Sequence, residues 1–146
     1  MTTYIDTSVL APYYCPEPLS ILAERTLRRL PSPMISELTL VELTSAISRK
    51  IREQTLTREE GTRILTQIDT HVEEGYYRVI PVRPRDYRVA RAWLGQLQGT
   101  LRTLDALHLA VAESVEASTL TADKRLALEA HALGLPVKLL AVPRHR

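Results

Sequence analysis

The chain predicts an α/β fold of three layers, with helices on both faces of a central, mainly parallel sheet of four to five strands. Three observations predict it. Short apolar runs of strand length alternate with longer segments of helical period along the whole chain. The short runs are apolar at consecutive positions, as in strands buried on both faces. Proline and glycine fall at the joints, and no internal repeat, low-complexity tract or linker interrupts the alternation.

The elements follow in order. Tyr4 to Asp6 reads as the first strand, with a helix opening at Thr7 or Ser8. Glu17 to Leu30 is expected to be one helix, because Leu19, Leu22, Ala23, Leu27 and Leu30 fall near one face. Pro31 and Pro33 end it. Met34 to Ser36 reads as a buried strand, followed by a helix from Leu38 to Ile51. A more polar helix from Arg58 to Glu74 is stopped by Gly75. Tyr77 to Val82 is the third expected strand. Pro84 can open a helix that runs to about Gln98 and ends at Gly99. Thr103 to Glu116 is a helix apolar on nearly every face (Ala106, Leu107, Leu109, Ala110, Val111, Ala112), which marks it as buried. Thr119 to Thr121 is a strand, Lys124 to Leu133 a helix closed by Gly134, and Val137 to Leu140 the last strand. Right-handed crossovers place the C-terminal ends of parallel strands on one edge, where ligand sites of such sheets lie.

Length and composition fit one domain over residues 1–146, large enough for a hydrophobic core. A net charge of +2 does not by itself announce nucleic acid. The basic side is unusual in kind, with three lysines, Lys50, Lys124 and Lys138, among nineteen basic residues. Arginine forks match phosphate geometry, and codon bias towards arginine explains the excess equally well. The single cysteine, Cys15, excludes an intrachain disulfide and reads as a packed thiol. No signal-like segment or membrane-length run is present, so a cytoplasmic protein is expected. The absence of a glycine-rich phosphate loop argues against nucleotide-triphosphate chemistry.

The chemistry concentrates in four acids. Asp6 ends the first strand, Glu42 lies inside an apolar helix, Asp105 interrupts the buried helix, and Asp123 follows the fourth strand. The chain has five aspartates, Asp6, Asp69, Asp86, Asp105 and Asp123, so the set takes three of them. Carboxylates beside apolar runs are costly to bury unless they are paired, hydrogen-bonded or bound to a metal. Each has an ordinary alternative. Asp6 and Asp123 can cap helices. Glu42 can close a capping box from Thr39. Asp105 suits a first turn capped by Thr103, with Arg102 as the one cation nearby. One site for a hard divalent cation explains all four together. His108, in the same buried helix, reads as a hydrogen-bonded core histidine, since no nucleophile pattern accompanies it. The stretch Arg49 to Glu53 reads as a solvated helix end.

Five stretches in order, Y-I-D-T-S-V-L, V-E-L-T-S-A, L-R-T-L-D-A-L-H-L-A, T-A-D-K-R-L and A-L-G-L-P-V, resemble the PIN-domain ribonucleases, and among them the VapC toxins of toxin–antitoxin pairs. The resemblance covers essentially the whole chain, although Arg52 to Arg91 carries no family signature. It implies a PIN-like fold and a metal-dependent endoribonuclease that hydrolyses RNA phosphodiester bonds with metal-activated water. Its acidic positions fall on Asp6, Glu42, Asp105 and Asp123, with Mg2+ or Mn2+ as the cofactor. Asp6 and Asp105 are the expected primary ligands. Asp123 and Glu42 would hold a second ion, orient waters or accept protons. Thr7, Ser8 and Thr103 match polar positions that support the site. The implied partners are an RNA substrate, a cognate VapB-like antitoxin and a second copy of the chain in a homodimer, with no membrane. Three other readings stay open: an inactive PIN-fold module that binds RNA or protein, a housekeeping RNA-processing nuclease, and a phosphoryl-transfer domain with Asp6 as nucleophile. The last wants further acids beside the first strand, which Thr7 to Leu10 do not supply.

Overall fold

The computed structural model describes residues 1–142; the four that follow, within the expected span 1–146, lie outside the described residues. The elements are β1 (Thr3–Ile5), α1 (Thr7–Tyr14), α2 (Ser20–Leu27), β2 (Pro33–Ser36), α3 (Glu37–Arg52), α4 (Arg58–Glu73), β3 (Arg78–Ile80), α5 (Pro84–Leu94), α6 (Thr103–Ser114), β4 (Ser118–Thr121), α7 (Lys124–Ala132) and β5 (Val137–Leu139). The five strands form one sheet in the order β3-β2-β1-β4-β5. All four pairings are parallel, with Tyr4 opposite Met34 on one side and Thr119 on the other. The chain winds outward from β1 to β3, then returns to β4 and β5. The strand order therefore reverses between β1 and β4, and their C-terminal ends carry Asp6 and Asp123.

The strand period of two sorts the core. Ile5 packs with Val9, Leu10, Leu43 and Ile47 on one face. Tyr4 packs with Met34, Ile80 and Val111 on the other. Helix α6 meets three surfaces at once, which is why it is apolar all round. Val111 and Ala112 join the cluster around Tyr4, Ala106, Leu107 and Ala110 pack against Ala90, and Leu109 packs against Leu126 and Ala130. That burial fixes the helix carrying Asp105 and His108 relative to the sheet.

Several boundaries differ from the sequence expectation. The helix expected from Glu17 to Leu30 shortens to α2, Ser20–Leu27. The Glu17 amide donates to Ser20 Oγ at 2.9 Å and Ser20 Oγ donates to the Cys15 carbonyl at 3.0 Å, which folds this entry into a turn. At the far end, the amides of Arg29 and Leu30 donate to Thr26 and Leu27 in turns rather than helical bonds. The third strand shrinks to Arg78–Ile80, because Pro81 offers no N–H to continue the ladder. Helix α5 stops at Leu94 rather than near Gln98, and Leu97 takes the left-handed φ of 56°. Helix α6 likewise ends at Ser114, before Glu116 at φ 54°. The capping box of α3 is also displaced. Ser36, not Thr39, is the N-cap, and Thr39 is its reciprocal partner. The Ser36 amide donates to Thr39 Oγ1 at 3.1 Å. Glu42 thus has no capping role and lies one turn further along.

Candidate active site

Asp6 stands between β1 and α1 with extended backbone, and its carboxylate is divided between two tasks. Oδ2 accepts from Ser8 Oγ at 2.5 Å, from Thr121 Oγ1 at 2.9 Å and from the Ser8 amide at 3.4 Å. Oδ1 accepts no hydrogen bond among the described residues and lies 3.8 Å from His108 Nε2. Capping therefore anchors the side chain and leaves one oxygen open. Thr121 is fully buried and also accepts from the Asp123 amide at 3.0 Å, so it couples the two strand ends.

Glu42 projects from α3 towards the same place. Its Oε1 accepts from Thr7 Oγ1 at 3.0 Å and from His108 Nε2. Burial pushes its carboxyl upward, but the His108 hydrogen bond, the His108 charge and the Thr7 hydrogen bond together hold it below the usual range. His108 is itself held on its other side, where Nδ1 meets the Tyr4 hydroxyl at 2.6 Å. That hydroxyl is 2.7 Å from Ser36 Oγ and 3.3 Å from Thr39 Oγ1, and burial keeps its proton on well above the ordinary range. A buried line thus runs from the cap of α3 through Tyr4 and His108 to Glu42. The carboxylates of Asp6 and Glu42 and the His108 ring each offer an atom within 4.8 Å of the others.

Among the described residues neither Asp105 nor Asp123 joins that group of three within 4.8 Å; Asp105 is linked to it through the charge of Asp6, and to Asp123 through a shared arginine. Asp105, in the first turn of α6, is pushed upward first by burial and then by the charges of Asp6 and Asp123, with Arg125 and His108 opposing. Asp123 caps α7, its Oδ1 accepting from the amides of Arg125 at 2.9 Å and Leu126 at 3.3 Å. A single nitrogen of Arg125, Nη2, lies 3.7 Å from Asp105 Oδ2 and 3.9 Å from Asp123 Oδ2. The cation beside Asp105 is therefore Arg125, whereas Arg102, at the N-cap of α6, makes no ion pair among the described residues. Thr103 does not cap α6 either. It opens the helix as an exposed first residue, with no side-chain hydrogen bond among the described residues.

Of the expected supporting residues, Thr7 and Ser8 contact the acids and Thr103 does not. His108, Thr121 and Arg125 join the site beyond the expectation. Their spacings carried a signal. His108 lies three residues beyond Asp105, on the same helix face. Thr121 ends β4 two residues before Asp123, so the strand end that delivers one delivers the other. A cleft of about 360 Å3 adjoins Glu42, lined by Thr7, Leu38, Val41, Ser45, Arg49 and Leu104 among others.

The model of the PIN domain family matches residues 3–131. No curated protein sequence matches the chain. Among solved structures, VapC20 of Mycobacterium tuberculosis, described as a toxin that cleaves the sarcin-ricin loop, is similar with a TM-score of 0.71 and 18% identity, over 91% of this chain and 95% of that one. VapBC2 of Rickettsia felis, solved bound to a DNA fragment from its promoter, gives 0.66 and 15%, over 95% and 98%. VapBC-5 of Mycobacterium tuberculosis, from the VapBC family of toxin–antitoxin systems, gives 0.61 and 18%, over 97% and 98%. With its parallel sheet, its acids at the strand ends and the family model spanning most of its length, this chain belongs to the PIN-domain family.

Proposed function

We propose that this chain is a Mg2+- or Mn2+-dependent endoribonuclease acting as the toxin of a toxin–antitoxin pair. The observation that carries the reading is the divided carboxylate of Asp6. One oxygen is fixed by two hydroxyls and an amide, and the other is left open beside Glu42 and within the field of Asp105. Such a donor set fits a hard cation. The free oxygens belong to carboxylates, the charges of Asp6 and Asp123 add to burial in raising the Asp105 carboxyl, and no lysine pairs with the acids among the described residues. Asp6 and Asp105 would be the primary ligands, with Asp123 and Glu42 completing the set. A bound divalent ion would supply Lewis-acid chemistry, activating water and neutralising charge on the scissile phosphate.

The chain's own residues do the positioning. Thr121 and Ser8 fix Asp6, and Asp123 is aimed by its capping bonds. His108 is a positioning residue rather than a ligand, since both ring nitrogens already have partners and a hard ion prefers oxygen. It keeps Glu42 ionised and oriented, suited to accept a hydrogen bond from an attacking water. In-line attack would leave a 5′-phosphate and a 3′-hydroxyl. Similarity to VapC20, a toxin that cleaves the sarcin-ricin loop, and to two VapBC structures supports RNA as substrate and a VapB-like antitoxin as partner. On this reading the protein works in the cytoplasm as a homodimer. No helix of the described residues is long and apolar enough to cross a membrane. The test is to incubate purified protein with single-stranded RNA. Cleavage is expected with Mg2+ or Mn2+ and none in excess chelator; intact RNA under every metal condition would favour a binding module instead.

A further inference from the structure

We propose that Arg125 is the resident counter-ion of Asp105 and Asp123, that a divalent cation displaces it, and that its freed guanidinium then binds a phosphate oxygen of the RNA. The second half rests on the nuclease reading above. The motive is a contrast among ion pairs. Lys50 with Glu17, Arg28 with Glu24 and Arg85 with Glu113 each close to 2.7 Å. Arg125 instead stands 3.7 and 3.9 Å from two acids, beyond hydrogen-bond reach of either. Among the described residues its guanidinium donates no hydrogen bond, so its whole fork of donors is uncommitted. Its side chain is 31% exposed, enough to reach solvent.

The root of this side chain is fixed while its tip is not. The Arg125 amide donates to Asp123 Oδ1 at 2.9 Å, which ties the residue to the acid it neutralises. The tip is shared between two carboxylates by charge alone. A small cation coordinating those carboxylates directly outcompetes a long, partly solvated pair. Once displaced, the fork remains at the rim of the acid group, where an RNA phosphate drawn to the cation must arrive. A planar guanidinium can pair with two phosphate oxygens, which an ammonium at this position could not match.

The experiment titrates Mn2+ by calorimetry into wild type, Arg125→Gln and Arg125→Lys, and measures binding of a single-stranded RNA in Ca2+ at several salt concentrations. Neither variant touches the backbone cap, and far-UV circular dichroism checks the fold. Arg125→Gln should bind Mn2+ about two- to fivefold more tightly, and Arg125→Lys should stay near wild type. The RNA salt slope of Arg125→Gln should shrink by about 0.7. Unchanged or weaker Mn2+ affinity in Arg125→Gln overturns the counter-ion assignment. An unchanged salt slope overturns the phosphate assignment. A wild-type protein that cuts no RNA in Mn2+ would strike the nuclease reading and leave the counter-ion assignment standing, because the Mn2+ titration needs no turnover.

Discussion

Two acids of one site have folded-state affinities moved in opposite directions, and this gives them opposite effects on stability. Asp105 is raised by burial and by Asp6 and Asp123. A raised carboxyl binds more protons folded than unfolded, so its contribution is present at low pH and is lost as pH rises through the folded value. Neutral Asp105→Asn should therefore raise the melting temperature of the metal-free protein at pH 7, by about 1–3 °C. Glu42 is lowered, against its burial, by His108 and Thr7. Its contribution is present above the unfolded value and is lost as pH falls through the folded one. Glu42→Gln should lower the melting temperature at pH 7, and the loss should fade towards acid. Thermal scans between pH 3 and 7 read both signs, and equal shifts of one sign would contradict this electrostatic account. The acids were legible in the sequence because charge amid apolar runs demands a reason. Their supports were less so. Thr121 and His108 look like ordinary core residues until the fold sets one against Asp6 and the other against Glu42.

Helix α3 owes its start, and so the placement of Glu42, to Ser36. This residue is fully buried, caps the helix and meets the Tyr4 hydroxyl at 2.7 Å. Ser36→Ala should cost about 1–2 kcal/mol, read as a lower midpoint in urea unfolding with an unchanged slope. It should also weaken any RNA cleavage, because Tyr4 and His108 lose one anchor of the line to Glu42. Full stability in this variant would show the cap to be dispensable. Element type and order were legible because buried strands and amphipathic helices differ in period. Boundaries were less legible, since side chains and local backbone decide them. Ser20 folds its own approach into a turn, and Leu97 and Glu116 leave their helices through positive φ, which no periodicity announces. The capping box of α3 starts three residues before the expected Thr39 for a related reason. Thr39 suits an N-cap by residue type, but Ser36, at the end of β2, already takes that role.

For the whole molecule, the proposed site predicts linkage between folding and metal. Saturating Mg2+ or Mn2+ at about one hundred times its Kd should add roughly 2.7 kcal/mol, and Asp6→Asn should lose most of that gain. Light scattering should give twice the 16.5 kDa chain mass if the protein is the proposed homodimer; a monomer at micromolar concentration would contradict it. Expression in its own host should arrest growth, with rescue by a co-expressed antitoxin, and Asp6→Asn should be harmless alone. A harmless wild-type chain would remove the toxin role and leave a housekeeping nuclease standing. The central claim is that these acids form one metal-dependent nuclease centre, and the most direct test is RNA cleavage by wild type, Asp6→Asn and Asp105→Asn in Mn2+ and in excess chelator. Wild type should cut only with metal, and both variants should lose at least about a hundredfold in rate while keeping the fold. Cleavage by wild type in chelator, or wild-type rates in both variants, would contradict it.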